Sequence, residues 1–189
     1  QKPVEGLGET GKTYALDRVV DNETIKGDGS TVLEVYFKLQ FTVKYQPGTK
    51  GTFAEQSTGS LDYGVATPAA PDAAKNHAPG YTFAGWNPVW ADTVTDDVTY
   101  VAQWTPNSDT GYTVRHFLQN ADGTYPATTA YTNQYSATTD TNVSILGVLR
   151  DFEGYTFDAS ATKYSSSAVT EPGSLVLPIT GDGSLVIDL

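Results

Sequence analysis

The chain has 189 residues, a net charge of −11, and neither cysteine nor methionine. Without cysteine there can be no disulfides, thiolate metal sites or Cys nucleophiles. With no stretch that concentrates Lys and Arg, a phosphate-tracking surface is excluded, so nucleic acid is not an expected partner. No signal peptide is present and no apolar run approaches the ~18 residues of a membrane span, so no membrane insertion is expected.

Thr, Tyr, Val, Gly, Asp and Ser dominate, a composition that predicts strands joined by tight turns. Residues 1–10 read as a flexible lead-in. Strand signals follow at Lys12–Leu16 and Thr31–Phe37, with Gly27-Asp28-Gly29 as the turn before the second. Phe41, Val43 and Tyr45 alternate onto one face. Pro47-Gly48 is a turn, and Pro68, Pro71 and Pro79 mark a loop-rich middle. Gly80–Trp86 is the next strand, and Val98, Tyr100, Ala102 and Trp104 form one face of another. Residues 106–111 have a linker's composition. Tyr112–Gln119 and Thr124–Thr132 flank Ala121-Asp122-Gly123, a hairpin signal. The one helix expected is short, Asp158–Ala168, with Asp158 or Ser160 as N-cap. Leu175–Ile179 and Ser184–Leu189 would close the chain as a hairpin around Gly181-Asp182-Gly183. Gly-Tyr-Thr is expected to open strands at Gly80, Gly111 and Gly154.

Residues 25–35 nearly recur at residues 179–189, with six of eleven positions identical at an offset of 154. Three more positions keep their class: Leu33/Ile187, Glu34/Asp188 and Val35/Leu189. Such recurrence is the mark of repeat arrays, which serve as spacers or binding modules on larger proteins. The absence of methionine agrees with an internal part of a processed chain.

Gly80-Tyr-Thr-Phe-Ala-Gly-Trp86, followed by Thr99-Tyr-Val-Ala-Gln-Trp104, resembles the internalin-type B-repeat (Listeria–Bacteroides repeat) over about residues 41–105. Tyr112–Thr124, Gly154-Tyr-Thr-Phe157 and the closing Gly183–Leu189 segment resemble the mucin-binding-protein (MucBP) repeat. Residues 11–38 look like the tail of a preceding copy. The resemblance implies a mostly β or α+β fold of tandem small β-grasp-like (ubiquitin-like) units with at most one short helix each. The units would be a lead-in and tail at 1–39, a B-repeat-like unit at 40–105 and a MucBP-like unit at 112–189. It also implies an extracellular location on the surface of a Gram-positive bacterium. Phe41, Val43, Tyr45, Phe83, Trp86, Tyr100 and Trp104 would be the structural core.

Several sharper readings compete with plain structural ones. Leu177-Pro-Ile-Thr-Gly181 matches the signal cut by sortase, but no apolar stretch and basic tail follow, so a strand running into a turn is the better reading. Trp90 lies in a loop and is the first suspect for stacking on a sugar ring, with Tyr63 or Tyr81 beside it. His77 and His116 are isolated, and no spacing resembles a zinc site. Asp92, Asp96 and Asp97 lack the alternating ligands of a calcium loop. No nucleophile elbow, phosphate loop or dinucleotide fingerprint is present. No catalytic residue, metal or cofactor is therefore expected. Lys–Asn cross-links of the kind that stiffen surface stalks are permitted by composition, with no spacing that identifies a pair.

The sequence thus points to a non-catalytic, monomeric segment of a longer surface adhesin or stalk. The alternative is a recognition module for mucin glycans or a host surface protein, using an exposed aromatic patch. A secreted hydrolase accessory domain is the remote third.

Overall fold

A computed structural model of the chain describes residues 10–20, 24–165 and 176–189. The lead-in over residues 1–9, the end of the expected helix at 166–168, and Leu175 lie outside the described residues. Among the described residues are eleven strands and one 3-10 turn, Ile145–Gly147. The strands are β1 (Thr13–Val20), β2 (Glu34–Gln46), β3 (Gln56–Asp62), β4 (Tyr81–Asn87), β5 (Val98–Pro106), β6 (Thr110–His116), β7 (Tyr131–Ala137), β8 (Asn142–Ser144), β9 (Lys163–Ser165), β10 (Val176–Pro178) and β11 (Val186–Asp188). The protein is mostly β, with mixed sheets.

Two compact units interleave along the chain. The first takes the chain up to Thr49, with Phe53–Ala73 and Gly85–Gln103; the second takes Lys50–Thr52, Ala74–Ala84 and Trp104–Leu189. The sheet of the first runs β1-β2-β5-β4, and β3 also pairs with β2. β2 and β5 are parallel, with Val43 opposite Val98 and Gln46 opposite Val101. The expected alternation places Phe41, Val43, Tyr45 and Tyr100 in the buried cluster, with Trp86 and Val98 packed against it. β2 has two characters: its residues 34–38 are exposed, and burial begins only from Leu39 onward.

The second unit's sheet runs β7-β6-β11-β9. Here too the central pair is parallel, β6 with β11, flanked by antiparallel β7 and β9. Tyr112 and Val114 of β6 alternate inward to meet Ile187, Leu185, Ile179, Leu177, Val143 and Ile145. Arg115 points the other way and grips Asp188, its register partner, with two hydrogen bonds of 2.6 and 2.7 Å. Phe83 and Trp104, expected in the core, are half-buried and meet edge-to-face at 5.6 Å.

Three expected elements differ. Residues 158–165 form a turn and then β9, not the start of a helix. Asp158 Oδ1 accepts from the Ser160 amide (2.9 Å) and hydroxyl, an Asx turn that competes directly with helix capping. The hairpin about Ala121-Asp122-Gly123 forms, but a wide one: β6 pairs antiparallel with β7, which begins only at Tyr131, so the turn sits within a longer connection over residues 117–130. The closing hairpin does not form, because β10 pairs with β8 while β11 inserts between β6 and β9. Its turn does form, and Leu177-Pro-Ile-Thr-Gly181 is a strand running into it, with Leu177 and Ile179 buried.

That turn is fixed by close backbone approach. A Cβ on Gly181 would lie 2.1 Å from the Pro79 carbonyl oxygen, whereas one on the repeat-equivalent Gly27 would meet nothing within 4 Å. Gly181→Ala should therefore destabilise the second unit by about 1–3 kcal/mol, the usual cost of overpacking, and Gly27→Ala should change little. Thermal unfolding of the two variants, followed by near-UV circular dichroism, separates them; equal melting points would contradict the packing described.

Candidate functional site

Trp90 and Tyr63 belong to the first unit and Tyr81 to the second. Trp90 is partly exposed, but its Nε1–H donates to the Tyr45 hydroxyl at 2.9 Å. Tyr45 in turn donates to the Pro68 carbonyl at 2.6 Å. The Tyr45 ring is stacked on Tyr100 and meets the edge of Trp86. Burial raises the pKa of the Tyr45 phenol, an effect that the Trp90 hydrogen bond opposes. Trp90 is thus tied to the core by its polar edge, with only part of its ring offered to solvent. Tyr63 is exposed, its ring centroid 6.4 Å from that of Phe41.

Tyr81 is a correction to the sequence reading. It is 6% exposed and belongs to the second unit. Its hydroxyl donates to Asp140, and the Lys50 ammonium lies 4.3 Å from its ring centroid. Burial first, then the Asp140 carboxylate, push its pKa up. A ring so enclosed can present no face to a sugar.

Asp96 and Asp97 are likewise engaged within the protein. Lys12 Nζ reaches Asp96 at 2.7 Å, and Asp97 accepts the Thr42 amide at 2.7 Å. Among the described residues no group of three or more His, Asp or Glu side chains gathers as a metal site would require.

The sequence reading missed a cleft of about 560 Å³ in the second unit. Tyr125, Tyr155 and Phe157 line it with partly exposed rings, alongside Arg150, Asp158 and the buried His116. Its signal was present in the sequence. Gly-Tyr-Thr-Phe occurs at 80–83 and at 154–157, but only the first copy is a strand. In the first copy Tyr81 is buried; in the second, Tyr155 is 49% exposed and the backbone after Gly154 is irregular. The expectation that Gly154 opens a strand therefore fails, and that failure frees two rings for the cleft wall.

His116 anchors the base of this region. Its Nε2 accepts the Arg150 amide at 3.2 Å, which places the proton of the neutral ring on Nδ1. Nδ1 is buried without a hydrogen-bond partner. The Arg150 guanidinium lies 4.1 Å from the centroid of the Tyr131 ring, and the Phe152 ring is 5.7 Å from His116. Desolvation, and then the Arg150 charge, lower the His116 pKa below 6.5, with a weaker opposing influence from the Val148 backbone.

The cleft can therefore offer apolar ring faces, a cation and a carboxylate, and the Tyr125 hydroxyl donates to that carboxylate, Asp158, at 3.3 Å. No protein-family model, curated protein or solved structure matches the chain.

Because the folded His116 pKa lies below its unfolded value, the unfolded state binds more protons between the two. The second unit should lose stability as pH falls from above 6.5 through that window. Melting temperatures measured from pH 7.5 to 5 should show the decline, and His116→Gln should flatten it. An unchanged slope in the variant would remove His116 as its source.

Proposed function

We propose that the chain is a non-catalytic repeat segment of a bacterial cell-surface adhesin or stalk, built of tandem β-grasp-like units. The observation that carries this reading is the internal repeat. Asp28 and Asp182, 154 residues apart, make the same turn: each accepts the amide and hydroxyl of the serine two residues on, at 2.7–3.1 Å. The shared strand order supports it too. The orders β3-β2-β5-β4 and β7-β6-β11-β9 each place a parallel pair at the centre, β2 with β5 and β6 with β11, as in a grasp-type sheet. The test is location: antibodies against the chain should label intact, unpermeabilised cells of the source bacterium. Labelling only after permeabilisation would end the surface reading.

The second reading, recognition of glycans such as those of mucin, is favoured by the cleft. Aromatic faces stack on the C–H faces of sugar rings, and Arg150 and Asp158 supply a donor and an acceptor for hydroxyls. Binding to immobilised mucin and a glycan panel should weaken at least tenfold in Tyr155→Ala and Phe157→Ala. Trp90→Ala, whose ring is held by Tyr45, should retain binding. Loss in Trp90→Ala alone would move the site to the first unit, and no saturable binding by the intact protein would leave the stalk reading by itself.

A further inference from the structure

One sequence motif stands in two different environments. In the second unit, residues 179–189 form the closing strand, with Ile179 1% and Ile187 0% exposed. Their counterparts Ile25 and Leu33 are 86% and 62% exposed. The turn between them is the same in both copies: Gly29 and Gly183 both adopt positive φ (74° and 67°), and each amide donates to the carbonyl three residues back. Local structure has formed in the first copy without the packing that the second receives.

Strand neighbours show what is missing. β11 has an antiparallel neighbour, β9, and a parallel one, β6. The first half of β2 has an antiparallel neighbour, β1, with Val35 opposite Val19 and Glu34 opposite Val20. Its other pairings, with β3 and β5, begin only at Gln40 and Val43. Among the described residues, therefore, no strand pairs with the opposite edge of residues 34–38. Leu16, Val19, Val35 and Phe37 stand exposed on this two-stranded ribbon. The ribbon has the form of the last two strands of a sheet in the order shared by both units, without the first two.

We propose that residues 25–37 are a donor strand, which closes the sheet of another unit built like the second one by lying parallel to that unit's β6-type strand. The charge pattern fits. Arg115 of β6 holds Asp188 of β11, and Glu34 is the acidic residue at the equivalent place. Thr31, at the place of buried Leu185, departs from the pattern; its hydroxyl accepts the Lys26 amide at 2.7 Å and tightens the turn. β2 would then serve two sheets with one continuous strand, its first half closing one unit and its second half opening the next.

A tandem chain tests this directly: residues 1–178 joined to residues 25–189, so that a copy of 25–37 takes the place of the upstream closing strand. Amide hydrogen exchange at Val32 and Leu33 is the readout, with the single chain as reference. In the single chain these amides should exchange freely. At the junction they should be protected at least a hundredfold. Leu33→Asp should leave the single chain's melting temperature unchanged, and at the junction it should abolish protection and unfold the upstream unit alone. Should the departure at Thr31 weaken closure, Thr31→Leu at the junction restores the residue that Leu185 supplies. Protection in either tandem upholds the donor strand; free exchange at Val32 and Leu33 in both, or protection indifferent to Leu33→Asp, overturns it.

Discussion

Each unit is built around a parallel pair of strands far apart in sequence. Val43 of β2 meets Val98 of β5, and Val114 of β6 meets Ile187 of β11, so each core closes only when a late strand returns to lie beside a much earlier one. No disulfide holds these closures, because the chain has no cysteine. What holds them is burial. A fully buried Ile or Leu contributes about 1.5–3 kcal/mol, and Ile187, Leu185, Leu177 and Ile179 all sit in one cluster around β6. Sequence separation makes such closure slow and cooperative, since loop entropy is lost before the contacts that offset it are made. The consequence for the first copy of the repeat is direct: a closing strand without its parallel partner keeps its turn and leaves its apolar residues in water.

The acidic balance has a structural side. Asp28, Asp122, Asp158 and Asp182 each accept the backbone amide of a Ser or Thr two residues on. Hydrogen bonds from that residue's side chain and backbone hold the Asp28, Asp122 and Asp158 carboxyls below their usual pKa. Four of the chain's acids thus act as turn-makers. Such turns need no metal. Screening at these exposed positions keeps each contribution small.

Strands with alternating apolar residues were legible in the sequence: Phe41-Val43-Tyr45, Val98-Tyr100-Ala102 and Tyr112-Val114 all bury the expected face. β3 was not, because Gln56-Ser-Thr-Gly-Ser-Leu-Asp62 is polar and joins the sheet through backbone pairing with β2. The helix expected from Asp158 failed because the feature that marks an N-cap also marks an Asx turn, and the Asx turn formed. The closing hairpin failed for a related reason. An Asp-Gly turn bends the chain locally but does not say which strands its flanks will pair with. Of the candidate site, Trp90 and Tyr63 were located as partly solvent-exposed rings, whereas the fate of Tyr81 depended on its tertiary partners Lys50 and Asp140. The cleft was missed because its rings lie in irregular chain, where periodicity carries no signal, and the recurring Gly-Tyr-Thr-Phe at 154–157 pointed to a strand instead.

Strand order also bears on the stalk reading. In the second unit β6 and β11 run parallel as neighbours, so the start of β6 and the end of β11 lie toward opposite ends of the sheet. A pull applied between them runs along the strands and loads the β6–β11 hydrogen bonds together, in shear. An antiparallel pair would place these two points at the same end, and the bonds would open one after another. The Arg115–Asp188 bridge spans this loaded pair, and the buried cluster of Val114 and Ile187 resists its sliding. The same reasoning applies to β2 and β5 in the first unit. With residues 25–37 serving as a donor strand, β2 would carry load from one sheet into the next through a single extended segment with no flexible linker between them. A fold whose strongest interactions lie between its two ends is suited to holding position under tension, and that requirement would select this strand order whether or not a unit also binds a ligand.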